Sequence, residues 1–303
     1  MHHKPANNND IGANTMTPSP EPREHRVLCA SPAGLHRMAY TEWGDPANPR
    51  VLVCVHGLSR TGRDFDDLAR ALCGQYRVVC PDIVGRGKSD WLADPQHYLP
   101  PQYVADMVTL IARLSVEQVH WLGTSLGGLV GMALAALPGT PITRLVLNDV
   151  GPVIRAEALK RIGDYLGMDP VFEDFAKAQA YVKAISLSFG LKTEAQWETL
   201  ARTSLKPEGA GFKMHYDPAI SLPFKAANAG GADVTAWPYY DAIRCPTLVV
   251  RGALSDLLDR ATLEEMSRRG PKAQIAEIAG VGHAPMFMDA DQIALVRDFL
   301  LAK

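Results

Sequence analysis

The chain has 303 residues, 47% of them hydrophobic and 21% charged, which is enough apolar content to bury a sizeable core in one or two domains. Lys and Arg number 31 against 33 Asp and Glu, a formal charge of −2, so no basic surface excess is present to hold phosphates and nucleic acid is excluded as an expected partner. The best apolar stretch, 129–137, is interrupted by Gly131 and falls well short of the roughly 18 residues of a membrane span, so no membrane partner is expected either.

Residues 1–25 are rich in Asn, Pro and charge and lack the apolar run of a secretory signal. They read as a tail outside the fold, and the adjacent His2 and His3 within it are at most a weak metal tract. Cys29, Cys54, Cys73, Cys80 and Cys245 lie far apart, odd in number and without a C-x-x-C pair, which suggests neither a zinc site nor a disulfide framework. A reducing, cytoplasmic location fits that usage. From about Arg26 short apolar or β-branched runs alternate with helical stretches. Strands are expected over 37–43, 51–55, 77–80, 119–122, 144–147, 247–250 and 274–278, and helices over 64–72, 102–114, 126–137, 260–268 and 291–301. Several strands are continuous apolar runs, as in a parallel sheet buried on both faces. The fold class is therefore α/β, with core residues 26–150 and 241–303.

The alternation stops over 151–240, which reads as an inserted segment of helices and loops with no convincing strand. Phe172, Phe175, Val182, Ile185 and Phe189 are spaced for one helical face, and 194–203 forms a second helical stretch. Twelve aromatic residues lie in this segment. Two readings stand: the rings bind the inserted helices to one another and to the core, or the segment is a lid over an apolar pocket.

The run 119–122 leads into Gly123, Thr124, Ser125, Leu126 and Gly127 and then a helix rich in small residues. A nucleophilic serine has to stand proud on a sharp turn between strand and helix, and the glycines two residues to either side avoid a Cβ striking the neighbouring backbone. The positive end of the following helix favours charge developing on a bound carbonyl oxygen. Ser125 is the candidate nucleophile.

With this motif the chain from about 27 to 303 resembles the α/β-hydrolase superfamily, whose fold is a mostly parallel sheet flanked by helices. The resemblance places 151–240 as a helical cap after the sixth core strand. The run ending in His56, Gly57, Leu58 and Ser59 resembles the loop that supplies the first oxyanion-hole donor, which implies the backbone N–H of Leu58, with that of Leu126 as the second. Asp82, Gly85, Gly87 and Ser89 match the turn D-x-x-G-x-G-x-S, with Lys88 where relatives often have His. His56 reads as a brace for its loop, not as a base.

A serine hydroxyl needs a neutral imidazole, normally oriented by a carboxylate. His283, in the glycine-rich run 279–285 between a late strand and the last helix, matches the family pattern G-x-G-H-x-P. His120 lies in the strand before Ser125 and reads as packed, and His215 lies in the insertion. Asp256, after the strand 247–250 and a glycine turn, is the favoured acid. The order Ser125, Asp256, His283 is the one this fold requires. Asp149, after the strand 144–147, is the rival, with Asp259 a third choice. This triad needs neither metal nor organic cofactor.

The expected reaction is cleavage of a carboxylic ester of a small to medium apolar molecule through an acyl-enzyme. The chain looks similar to soluble bacterial carboxylesterases, and more loosely to enol-lactone hydrolases and 3-hydroxybutyrate-oligomer hydrolases. Lactone, oligomer or C–C bond hydrolysis and a ligand receptor with a retained triad stay open as alternatives. Arg60 is a candidate for meeting a substrate carboxylate, against a plain reading as a solvated loop arginine.

Overall fold

The structure, a computed structural model, describes residues 21–302. The His2 and His3 pair and residues 1–20 of the expected tail lie outside the described residues. Six strands come first along the chain, namely β1 (Arg23–Ser31), β2 (Gly34–Trp43), β3 (Val51–Val55), β4 (Arg77–Pro81), β5 (Val119–Thr124) and β6 (Ile142–Asn148). Between them lie α1 (Asp66–Leu72), α2 (Pro100–Arg113) and α3 (Leu126–Ala135). After the inserted segment the alternation resumes with β11 (Thr247–Gly252), α9 (Arg260–Met266), β12 (Gln274–Ile278) and α10 (Ala290–Leu301).

These eight strands form one sheet in the order β1-β2-β4-β3-β5-β6-β11-β12. β2 pairs antiparallel with both β1 and β4, and every other pairing in the sheet is parallel. The period-2 pleat divides each central strand between two cores. Val51, Val53 and Val55 of β3, Trp121 of β5 and Leu145 and Leu147 of β6 join the core that packs on α2 and α3. Leu52, Cys54, Leu122 and Val146 join the opposite core, closed by Leu68 and Leu72 of α1 and Val296 and Phe299 of α10. A strand buried on both faces favours apolar side chains at successive positions, which is why β3 is an unbroken apolar run and β5 and β6 carry apolar runs at their centres.

β1 corrects the expected tail boundary, since ordered strand starts at Arg23 and not after residue 25. Its alternating burial leaves half of its side chains in solvent, and a nine-residue edge strand of mixed polarity gives little apolar signal. The hairpin is fastened from behind. His36 Nε2 lies 3.0 Å from Asp106 Oδ2, and the Gln102 amide donates to Asp106 Oδ1 at 2.7 Å and to the Ala30 carbonyl at 2.9 Å, tying α2 to β1 and β2. At the other end of β2, buried Glu42 accepts from Arg23 at 2.9 Å and Arg77 at 2.6 Å, and these guanidiniums hold its carboxyl below the usual range against the opposing effect of burial.

Between β6 and β11 lie β7 (Val153–Ile154), α4 (Ala156–Tyr165), α5 (Phe175–Ile185), α6 (Glu194–Ser204), β8 (Leu205–Glu208), β9 (Gly211–Met214), α7 (Ser221–Ala227), β10 (Val234–Thr235) and α8 (Trp237–Ala242). The expectation of no strand here is corrected, because β8 pairs with β9 and β7 with β10 as two small antiparallel ribbons. Each strand is two to four residues long, too short for an alternation to show. Phe172, expected on one helical face with Phe175, lies outside α5 and bridges to Phe212 of β9. Asp174 starts α5 by accepting from the Lys177 N–H at 2.8 Å, and a capping box of Thr193 and Gln196 starts α6.

The close approach of α3 to β5 rests on Gly131. A Cβ there would come within 2.2 Å of Trp121 Nε1, and that buried indole is pinned by donating to the Gly127 carbonyl at 3.1 Å. Alanine favours a helix interior over glycine by about 1 kcal/mol, whereas overpacking costs roughly 1–3 kcal/mol. Gly131→Ala is therefore expected to show a net loss of about 1 kcal/mol in urea unfolding. A stabilised variant would disprove the tight contact.

Candidate active site

Ser125 sits between the last residue of β5 and the first of α3 with φ 52° and ψ −114°, a conformation that L-residues adopt at a cost of about 1–3 kcal/mol. The surrounding glycines permit it. A Cβ on Gly123 would meet the Gly127 carbonyl oxygen at 2.1 Å, and one on Gly127 would meet the Val55 carbonyl oxygen at 2.0 Å. The turn is held by Ser125 N–H donating to the Asn148 carbonyl at 3.0 Å and Gly127 N–H to the His56 carbonyl at 3.1 Å. β3, β5 and β6 thus present their carboxyl ends around one hydroxyl.

His283 Nε2 lies 3.0 Å from Ser125 Oγ. The expected acid does not follow. His283 Nδ1 pairs with Asp149 Oδ2 at 2.7 Å, whereas Asp256 faces solvent and pairs with Arg161 of α4 at 2.7 Å. Asp149 follows β6 directly with φ 53°, its backbone N–H donating to Val250 of β11 at 2.7 Å. Its side chain is fully buried and receives two further donors, Gly252 N–H on Oδ1 at 2.8 Å and Ser255 Oγ on Oδ2 at 2.6 Å. The Ser255 oxygen itself accepts from the N–H groups of Leu257 and Leu258 at 3.2 and 3.1 Å, so its own proton points to Asp149.

The physical reason that Asp256 fails is the path of the loop after β11. Arg251 gathers that loop by donating to the carbonyls of Leu258, Ala253 and Ser255 at 2.7, 3.1 and 3.3 Å. This turns Ser255 inward and the next residue out. Asp259 is no alternative, because its carboxylate caps α9 through the Thr262 N–H at 2.6 Å and pairs with Arg155 at 2.9 Å. Sequence reading missed the part played by Ser255 and Gly252, which carry no motif of their own. Asn148 was missed as well: its amide donates to Thr124 Oγ1 at 2.9 Å and to the Pro285 carbonyl at 2.8 Å, linking the serine turn to the histidine loop.

Leu58 lies beside Ser125 in the cavity wall, and Leu126 opens α3. The N–H groups of Gly127, Gly128 and Leu129 are engaged by backbone carbonyls, which leaves Leu126 N–H as the first-turn donor nearest the hydroxyl. His56 is a brace. It is fully buried, its Nδ1 donates to the Gly57 carbonyl at 2.7 Å, and its Nε2 accepts the Ile83 N–H at 2.9 Å. This is the neutral tautomer, and burial pushes its pKa down to about 3. His120 and His215 stand apart from the serine, each with a pKa lowered to about 4 chiefly by burial.

The cavity at Ser125 is also lined by Ile162, Tyr165, Ile185, Phe189 and Met214, all from the inserted segment. Of the two readings of its aromatics, part of the set does pack inward, as with Phe175 on Phe212, while Tyr165 and Phe189 line the wall over the serine. Arg60 is neither free nor solvated: Asp64 accepts from its Nε at 2.9 Å and from its Nη2 at 2.5 Å, and Ser204 of α6 accepts from its Nη1 at 2.5 Å.

The model of the Alpha/beta hydrolase family matches residues 52–295. A "3-hydroxybutyrate-oligomer hydrolase" of Cupriavidus necator is 55% identical over 288 residues, 93% of this chain and 98% of the relative. A "Pimeloyl-[acyl-carrier protein] methyl ester esterase" of Photobacterium profundum is 26% identical over 85% of this chain and 97% of its own length. Among solved structures, an alpha/beta hydrolase from Novosphingobium aromaticivorans has a TM-score of 0.81 at 36% identity, covering 92% of this chain and 98% of that one.

Two single substitutions separate the carboxylates. Asp149→Asn would present an amide where His283 needs an acceptor for its Nδ1 proton, and turnover of p-nitrophenyl butyrate is expected to fall about 10⁴-fold. Asp256→Asn is expected to lower it by less than about tenfold, since an exposed ion pair contributes little. Reversed outcomes in parallel kcat measurements would return the acid to Asp256.

Proposed function

The chain belongs to the alpha/beta hydrolase family, and from that premise we propose that it hydrolyses carboxylic esters through an acyl-enzyme on Ser125, with oligomers of 3-hydroxybutyrate as its substrate class. One observation carries the reaction type: Ser125, His283 and Asp149 form a continuous relay with spacings of 3.0 and 2.7 Å. The substrate class is supported by the relative 55% identical over nearly the whole of both chains.

In this reaction His283 Nε2 takes the Ser125 proton as Oγ attacks the ester carbonyl. Asp149 accepts the Nδ1–H throughout, which fixes the tautomer and stabilises the imidazolium that forms. The N–H groups of Leu58 and Leu126 receive the oxyanion of the tetrahedral intermediate. The same imidazolium returns its proton to the leaving alkoxide, which departs as an alcohol. A water then transfers a proton to His283 as it attacks the acyl-enzyme, and the second intermediate collapses as His283 returns that proton to Ser125 Oγ, releasing the acid and the free serine. The wall from Ile162 to Met214 suits the methyl and methylene groups of a 3-hydroxybutyryl unit and keeps bulk water from the developing charges.

A cytoplasmic location belongs to the same proposal. All five cysteines are free and four of them are buried, as suits a reducing compartment, and no described helix is long and apolar enough to cross a membrane.

The test is release of 3-hydroxybutyrate from its linear trimer, followed by chromatography alongside p-nitrophenyl butyrate hydrolysis. Wild-type protein is expected to turn over both repeatedly. Ser125→Ala is expected to lower kcat by about 10⁶, as when a triad acts as a unit. A wild-type protein that releases one equivalent of p-nitrophenol and then stops would be a receptor, and the proposal would fail.

A further inference from the structure

The cavity wall at Ser125 contains two arginines, Arg60 and Arg161, whose donors are differently engaged. Arg60 is nearly buried, and all three of its nitrogens are committed to Asp64 and Ser204. Arg161, on α4 of the insertion, is 47% exposed. It gives Nε to Asp256 Oδ2 at 2.7 Å and Nη2 to Asp256 Oδ1 at 3.1 Å. That pairing uses one edge of a planar fork with five N–H donors, so Nη1 and the second proton of Nη2 remain for another acceptor. The neighbouring wall residues Ile162, Tyr165, Ile185, Phe189 and Met214 carry no charge.

We infer that Arg161 is the subsite for the free carboxylate of the substrate, held in place by Asp256. The inference rests on the proposed oligomer substrate. In a linear hydroxyacid oligomer the acyl side of each ester leads to the hydroxyl end, and the alcohol side leads to the single carboxylate. A residue that binds this carboxylate therefore acts on the leaving-group side of the scissile bond. Planar, bidentate carboxylate recognition is what a guanidinium does best, and an arginine already oriented by an aspartate loses less freedom on binding. Arg60 is the poorer choice, since it is nearly buried and its Nη1, the nitrogen that Arg161 keeps free, already donates to Ser204.

The test compares the 3-hydroxybutyrate trimer acid with its terminal carboxamide, the same chain lacking only the negative charge. Wild-type protein is expected to favour the acid by about tenfold in kcat/KM, chiefly through KM, with the preference weakening as ionic strength rises. In Arg161→Gln the ratio is expected to fall towards one, and Arg161→Lys, which keeps the charge but loses the fork, is expected to retain an intermediate ratio. An acid-to-amide ratio that is the same in wild type and in Arg161→Gln overturns the inference while leaving the oligomer reading intact. Turnover of p-nitrophenyl butyrate without cleavage of either trimer overturns the oligomer reading, and this inference with it. Arg161 is exposed, and unchanged thermal unfolding of both variants would confirm that the ratios report on binding.

Discussion

Asp149 sets the arrangement of everything around the candidate site. A carboxylate with no exposed surface must find its hydrogen-bond donors inside the protein, because a buried unpaired charge costs far more than most single interactions return. Its three donors come from separate stretches of chain: the end of β11 through Gly252, the loop beyond it through Ser255, and the late loop through His283. These stretches meet tightly. A Cβ on Gly252 would lie 2.2 Å from the Gly282 carbonyl oxygen, so the glycine lets β11 come against the histidine loop. Satisfying one side chain thus fixes the mutual position of segments more than a hundred residues apart, and His283 is aimed at Ser125 as a consequence.

The serine side of the site depends on a complementary constraint. Ser125 is strained, and strain persists only where the surroundings over-determine it. Here the carbonyls of Asn148 and His56 and the packed glycines of the turn do so. Asn148 joins the two halves, since its carbonyl fixes the Ser125 N–H while its amide reaches Thr124 and Pro285. The residue that follows it is Asp149. Two adjacent residues, Asn148 at the end of β6 and Asp149 just beyond it, therefore hold the Ser125 turn and the His283 ring, and both are fully buried.

Much of this was legible in the sequence because it is periodic or has a motif. The central strands carry apolar runs since both faces are covered, and Ser125 and His283 sit in glycine-spaced turns. The acid was not legible. Asp149 and Asp256 each follow an apolar strand, and one residue of difference in loop path decides which way a side chain points. That path is set by Arg251 donating to carbonyls four and seven residues ahead in its own loop, contacts that no sequence motif marks. β1 and the ribbons of the insertion were hidden for simpler reasons, one being half solvated and the others two to four residues long.

The inserted segment also contacts the histidine loop directly. Ser188, in the short turn before Gly190, accepts the Gly282 N–H at 2.6 Å and donates to the His283 carbonyl at 2.8 Å. Its neighbour Phe189 faces the cavity and lies 5.9 Å from the guanidinium of Arg60, itself tied to Ser204 on α6. The turn that closes the apolar wall is therefore the turn that grips the histidine loop on the backbone. One short turn therefore contributes a ring to the apolar wall and two hydrogen bonds to the backbone on either side of the Gly282–His283 peptide.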